Sequence, residues 1–132
     1  MLAGQLEWNE LTKQILDCCF SVHTKLGPGL LESVYHDSLA MELSRRGIRY
    51  QKQLTVPVHY EGEIVGDPLH LDLLVDDVIV VEVKAVEKLH SIHAAQVLAY
   101  LKLTSKPIGL LINFNAVHLR DGIRRIINTP VP

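Results

Sequence analysis

The sequence predicts an α/β or α+β fold, in which helices flank a central sheet. Three observations support this. Apolar residues recur at helical spacing over residues 5–26 and again from "GPG" to Gly47. Segments rich in Val, Ile and Leu then follow between 48 and 86, and a third helical segment at about 89–104 precedes the apolar run "IGLLINF". The predicted order of elements is therefore ααβββαββ.

The helices are predicted from the steps of three and four between their apolar residues. "GPG" at 27–29 should end the first helix and start the second, because Pro28 suits a first helical turn. The third helix carries apolar residues on most sides, so we expect it to be largely buried. The first helix has its apolar stripe at Trp8, Leu11, Ile15, Val22 and Leu26.

The strands are predicted from β-branched and apolar runs broken by turn residues. Residues 48–60, 63–75 and 78–86 are interrupted by "YEGE" and "VDD", which favours an antiparallel meander of three strands. "IGLLINF" at 108–114 is typical of a strand that is covered on both faces. "HLRDGIRRII" at 118–127 is predicted to be a final strand or edge.

Length and composition set limits on the class of protein. The 132 residues predict a single domain over 1–132, and 48% apolar with 21% charged residues is typical of a globular protein. A net charge of −2 argues against a stand-alone, high-affinity nucleic-acid binder but allows a local basic patch. Adjacent Cys18 and Cys19, with no secretory signal and no membrane-length apolar run, predict reduced thiols, a cytoplasmic location and no membrane partner.

The stretch "DDVIVVEVKA" at 76–85 places two charges in a strand that should be buried. Glu82 and Lys84 are two apart, so they project from the same face, and burying them costs free energy unless they are paired or bound. Asp72 lies on the preceding strand. A two-residue loop at Asp76–Asp77 would set Asp72 opposite Val81, whereas a three-residue loop or an equivalent bulge would set it opposite Glu82.

We predict the second register, because it forms a site. Two adjacent carboxylates repel each other unless a cation joins them, and oxygen ligands favour Mg²⁺ or Mn²⁺. Such an ion can polarise a phosphate and activate water, and a neighbouring lysine can stabilise the developing charge. A Glu-x-Lys alone usually forms a cross-strand ion pair. Glu32, Gln96 and Tyr100 support the site reading, because each is a polar residue predicted to face inward on a helix.

The residues also resemble a known family. "GLLESVY" at 29–35 is similar to the G-x-x-E-x-x-Y signature of the GxxExxY protein family, which is grouped with the PD-(D/E)xK nuclease superfamily. Asp72, Glu82 and Lys84 fit the superfamily pattern of an acidic residue, a hairpin and Asp/Glu-x-Lys, although Leu71 replaces the proline. Gln96 and Tyr100 resemble the Q-x-x-x-Y element of one branch. The resemblance covers about residues 10–127.

The resemblance implies a restriction-endonuclease-like core, with a mixed sheet of about four to five strands flanked by helices. It implies metal-dependent hydrolysis of phosphodiester bonds in nucleic acid, with DNA favoured over RNA. The implied metal ligands are Asp72, Glu82 and the carbonyl of Val83, and Glu32 would bind the metal through water or orient the nucleophile. Lys84 would activate or position the attacking water. Gln96 would orient a water or Lys84, and Tyr100 would contact a substrate phosphate or brace the helix.

Three functions stay open at this point. The first is an active nuclease, the second a weak or inactive accessory module on a nuclease fold, and the third a phosphohydrolase of small nucleotides. Two basic clusters could hold a phosphate backbone if either flanks the carboxylates. The final apolar strand could pair with a second copy to form a homodimer. The clusters are Arg45, Arg46, Arg49 and Lys52, and Arg120, Arg124 and Arg125.

Overall fold

A five-stranded mixed sheet lies between two helices on one face and a third helix on the other. The computed structural model of the protein describes the backbone of residues 3–129 and the side chains of residues 7–129. The helices are α1 (Ala3–Leu26), α2 (Glu32–Arg45) and α3 (Ser91–Thr104). The strands are β1 (Tyr50–Val56), β2 (His59–Tyr60), β3 (Glu63–Ile64), β4 (Leu69–Val75), β5 (Ile79–Lys84), β6 (Ile108–Asn113) and β7 (Ile123–Ile127).

The sheet has the order β1-β4-β5-β6-β7, and only β5 and β6 are parallel among its neighbouring pairs. This confirms the predicted meander, with the short hairpin β2–β3 forming the outer part of its first turn. Every residue of β6 is buried, as the continuous apolar run predicts. β7 is an edge strand, and a 3₁₀ helix at Leu119–Gly122 precedes it.

The segment between α1 and α2 differs from the prediction. Gly27 and Gly29 have φ values of +67° and +101°, which a helix cannot accommodate, so Pro28 lies in a bend and α2 begins only at Glu32. A Cβ on Gly29 would meet nothing within 4 Å. This glycine therefore serves a left-handed backbone and not a close approach to the sheet.

Tyr35 organises this bend from the first turns of α2. Its hydroxyl donates to the carbonyl of Gly27 at 2.6 Å and accepts from the amide of Leu30 at 3.0 Å. The ring is fully buried and stacks on Phe114, with centroids 4.9 Å apart. Tyr35 therefore packs in the core, and its hydroxyl holds the backbone of the bend on both sides of Pro28 and Gly29.

Helix α3 is less buried than predicted. Only Val97 and Leu101 are buried, while Ile92 and Leu103 are 59% and 45% exposed. The prediction was wrong because one side of α3 packs on the sheet and no described element covers the other side. Apolar residues all round a helix therefore did not indicate burial here.

None of the helices within residues 3–129 is long and apolar enough to cross a membrane. Both cysteines are buried on α1 and form no disulfide. The predicted domain limits, 1 and 132, lie outside the described residues.

Candidate active site

The β4–β5 turn sets the register that the site needs. Asp76 and Asp77 both have left-handed φ values, of +50° and +60°, and form a tight two-residue turn. The next residue, Val78, adds one position to β5 as a bulge does, so the predicted register is confirmed and Asp72 lies level with Glu82. The ladder pairs are Leu73–Val81, Leu74–Val80 and Val75–Ile79.

The two strands exchange side-chain hydrogen bonds just beyond the last ladder pair. The amide of Asp72 donates to Oε1 of Glu82 at 3.2 Å, and the amide of Val83 donates to Oδ2 of Asp72 at 2.8 Å. Each carboxylate thus binds a backbone amide of the opposite strand, where a regular sheet would have a carbonyl. The carboxyl groups are fixed next to each other at the end of the β4–β5 ladder.

The pKa of Glu82 is raised by its surroundings. Its side chain is buried, with the residue 5% exposed, and this desolvation raises the pKa of Glu82 to about 8, with a further increase from the charge of Asp72. The positive charge of Lys84 lowers the same pKa and so favours the Glu82 carboxylate. Without another cation, the pair therefore retains a proton at neutral pH.

Tyr100 lies on the same side of the sheet as this pair. Its phenol is half-buried beside the α3 core, and desolvation with the charges of Glu82 and Asp72 raises the pKa of Tyr100. The structure therefore brings together four of the predicted residues, namely Asp72, Glu82, Lys84 and Tyr100.

Two predicted residues do not face inward as expected. Glu32 and Gln96 are both exposed, so the predicted burial of these side chains was wrong. Glu32 is the first residue of α2, where its charge suits the helix N-terminus. Gln96 precedes Tyr100 by one turn of α3, so both lie on the same side of that helix. No hydrogen bond or ion pair joins either residue to the carboxylates.

Two residues that the sequence reading missed support the site. The imidazole Nε2 of buried His36 lies 3.1 Å from the carbonyl oxygen of Asp72. The buried side chain of Asn113 accepts from the amide of Val86 and donates to its carbonyl, which fixes the loop after Lys84. His36 precedes Leu39 by three residues and Leu43 by seven, so its place on the buried stripe of α2 was a detectable signal.

The donor set fits a hard divalent cation such as Mg²⁺ or Mn²⁺. Glu82 holds a proton because burial and the charge of Asp72 disfavour its ionised form. A cation that replaces this proton would bind both carboxylates and stabilise them. Within the described residues no group of three His, Cys, Asp or Glu side chains surrounds a common point. Mg²⁺ needs only one or two protein carboxylates, since water and substrate phosphate complete its shell.

The two basic clusters have partners away from this pair. Arg46 contacts Glu42 and Ser21, and Arg49 binds Asp76 at the turn end of the hairpin. Arg125 donates to Asn9 on α1, and Arg124 donates to backbone carbonyls beside it. The clusters were expected to hold a phosphate backbone only if one of them flanks the carboxylates, and none of these contacts supports that position.

Comparison with known proteins gives one result. A search of curated proteins and a search of solved structures found no significant match. The family model described as PD-(D/E)XK nuclease superfamily matches residues 9–126, a range that contains both carboxylates, Lys84 and all three helices except the start of α1. The narrower resemblance to GxxExxY proteins stays a prediction. With most of its length matched and its acidic pair and lysine assembled on β4 and β5, the chain belongs to the PD-(D/E)XK nuclease superfamily.

Proposed function

We propose that the protein is a metal-dependent nuclease that hydrolyses phosphodiester bonds, with DNA as its substrate. One observation carries the proposal: Asp72 and Glu82 lie side by side at the end of the β4–β5 ladder, with the charge of Lys84 close by. A buried carboxyl beside a second, half-buried one is costly unless a cation or a proton neutralises it, so the pair favours a functional site over a structural one.

Asp72 and Glu82 would hold Mg²⁺ or Mn²⁺, together with the carbonyl of Val83. The amide of Val83 points at Asp72, and in a strand the N–H and C=O of one residue point to the same side. When bound, the ion would polarise the phosphate and lower the pKa of a water molecule. The chain itself supplies the rigid placement of these oxygens on two neighbouring strands.

Lys84 would position the attacking water and offset the negative charge that develops on the phosphate. Tyr100 would contact a phosphate oxygen or brace α3, and its phenol remains a hydrogen-bond donor because its pKa is raised. Glu32, exposed at the start of α2, and Gln96, exposed on α3, would act through water. Their exposure gives these two roles less support than those of the buried pair.

The second candidate function is an accessory module that retains the acidic site without efficient cleavage. The placement of the basic clusters favours it, because their described contacts lie with Glu42, Asp76 and α1 instead of the carboxylates. A closed pocket for a small nucleotide has no such support. We also propose a homodimer formed through the edge strand β7, which a monomeric mass in solution would contradict.

The deciding experiment is a cleavage panel over single-stranded, duplex and branched DNA and RNA with Mn²⁺ supplied. It compares the wild type with Lys84→Ala and with Lys102→Ala, a matched change of an exposed lysine on α3. We expect DNA cleavage by the wild type and by Lys102→Ala, and a loss of at least about 100-fold in Lys84→Ala. Cleavage of RNA alone overturns the choice of DNA. Absence of cleavage, or equal cleavage by all three proteins, overturns the nuclease proposal.

A further inference from the structure

We infer that His36 is a positioning residue that holds the backbone of Asp72 in the geometry of the site. The imidazole projects from α2 and is buried, with the residue 6% exposed. Its Nε2 lies 3.1 Å from the carbonyl oxygen of Asp72. A carbonyl oxygen can only accept a hydrogen bond, so Nε2 carries the hydrogen in this contact. For catalysis the inference rests on the proposed function, whereas the positioning itself does not.

The backbone of Asp72 needs a partner because β4 leaves its regular ladder there. The pairing of β1 with β4 includes Lys52–Leu73 and Leu54–Leu71 but omits Gln53–Asp72. Gln53 has a backbone φ of +54°, which is uncommon for a residue other than glycine. At the same point the β4–β5 pairing ends, after Leu73–Val81. Asp72 therefore lacks a regular ladder partner on both sides.

The strand also rotates at this residue. Leu71 and Leu73 are two apart and should share a face, yet Leu71 packs with α3 and Leu73 packs with α1 and α2. The rotation allows the side chain of Asp72 to reach the amide of Val83 in the plane of the sheet. His36 supplies a hydrogen bond to Asp72 from α2, at the place where β1 supplies none.

The contacts of the ring favour positioning over metal ligation. Nδ1 lies 3.4 Å from Oδ1 of Asp37, and Nε2 is directed to the Asp72 carbonyl. Both nitrogens that could bind a metal are thus directed at protein oxygens. The side-chain nitrogen of Gln53 is also near Nε2, at 3.3 Å, but an Nε2 that donates to Asp72 cannot accept from it. We therefore assign the contact with Asp72 as the hydrogen bond.

Amide hydrogen exchange of the metal-free protein tests the positioning directly. In His36→Leu we expect the amide of Val83 to exchange at least about tenfold faster, because Asp72 is no longer held against it. In His36→Gln the protection should return, since the glutamine amide can donate from a position similar to Nε2. The matched control is His23→Leu, because His23 Nε2 makes a similar contact, 2.8 Å from the carbonyl of Ala116, which lies after β6 and not on β4.

Unchanged protection of Val83 in His36→Leu overturns the inference. It is also overturned if protection falls equally at Leu74 and Val80, within the regular ladder, because that result means general destabilisation. Loss of Val83 protection in His23→Leu has the same meaning. None of these readouts requires metal or substrate, so a wild type that neither binds Mn²⁺ nor cuts DNA refutes the proposed function and leaves the exchange result decisive for His36.

Metal binding separates positioning from ligation. Titration calorimetry should show that the Kd for Mn²⁺ rises about tenfold or more in His36→Leu. In His36→Gln the Kd should stay within about threefold of the wild-type value. An equal loss in both variants would identify the imidazole as a ligand and overturn the positioning role. The cleavage rate at saturating DNA should likewise fall in His36→Leu and stay close to the wild-type rate in His36→Gln. The apparent KM for DNA should change little, because His36 is buried beneath the site.

Discussion

The β4–β5 hairpin carries a pair of acidic residues at each end, and the two pairs have opposite surroundings. At the turn, Asp76 binds Arg49 at 2.7 Å and Asp77 binds Lys106 at 3.1 Å. At the other end, Asp72 and Glu82 bind backbone amides of each other's strands, and the pKa of Glu82 is raised. The same residue types are thus neutralised individually at one end and placed together at the other.

The difference indicates which pair serves the fold and which serves a reaction. Exposed carboxylates that each have a basic partner contribute little to stability and are common on protein surfaces. A buried carboxyl next to another one disfavours its own ionisation and is retained at a cost in stability. Burial and the lack of a separate counter-ion for each acid are therefore the features that mark Asp72 and Glu82 as the site.

The largest expected effect is on cleavage, from neutral replacements just beyond the two ends of the β4–β5 ladder. Asp72→Asn should lower kcat/KM for DNA at least about 100-fold, because an amide is a poor ligand for a hard cation, a loss of about 3 kcal/mol of transition-state stabilisation. Asp76→Asn should cleave like the wild type. Steady-state kinetics with Mn²⁺ measures both, and equal rates in the two variants would contradict the distinction between the pairs.

The next effect is on stability as a function of pH in the metal-free protein. The pKa of Glu82 is about 8 in the folded state and near 4.5 when the group is solvated, so between these values the folded state binds more protons than the unfolded state. Glu82 therefore contributes stability at low pH that is lost as pH rises from about 4.5 to 8, with a slope of up to about 1.4 kcal/mol per pH unit.

Glu82→Gln removes this titration and keeps an oxygen for the amide of Asp72. Urea unfolding at pH 5, 6, 7 and 8 should show that the variant gains on the wild type by a few kcal/mol in total as pH rises. Asp77→Asn serves as the control, and its pH dependence should follow the wild type. Parallel curves for the wild type and Glu82→Gln would show that Glu82 is not the proton-binding group.

A smaller effect should follow the addition of Mn²⁺. An ion that replaces the proton on the acidic pair stabilises the folded state by about 1.4 kcal/mol at roughly tenfold excess over its Kd, which corresponds to a rise in Tm of a few degrees. Because the ion competes with the proton, the rise should be larger at pH 8 than at pH 6. Thermal melts check this, and an equal rise in Asp72→Asn would indicate binding elsewhere.

Much of the fold could be predicted from the spacing of apolar residues along the sequence. The site could be predicted from one choice, the register of β4 against β5. The apolar runs broken by "YEGE" and "VDD" predicted the meander, and the charges at Asp72, Glu82 and Lys84 made sense only with an extra residue in the turn. The structure supplies that residue as Val78, after a left-handed turn at Asp76–Asp77. The length of the turn segment alone did not distinguish a two-residue loop from a bulge. The register was therefore predicted from the need to place Asp72 beside Glu82.

The errors have physical causes. Apolar periodicity shows which residues could be buried but not which faces a neighbour covers, so α3 and Gln96 were assigned too much burial. Left-handed Gly27 and Gly29 delay α2, and the start of that helix determines the exposure of Glu32. His36 was missed because its partner is a backbone carbonyl 36 residues away, and that carbonyl is available only because β4 rotates.

The smallest expected effect comes from the ion pair at the turn. Asp77→Asn removes the charge that binds Lys106 but keeps a residue type that tolerates the left-handed φ of +60°. Since the Asp77 side chain is 78% exposed, we expect a loss below about 1 kcal/mol in unfolding free energy. Mn²⁺ affinity and cleavage should not change, because the register depends on backbone conformation and on Val78. If Asp77→Asn instead weakens Mn²⁺ binding, the turn charge takes part in holding Asp72 against Glu82, and the two ends of the hairpin are coupled.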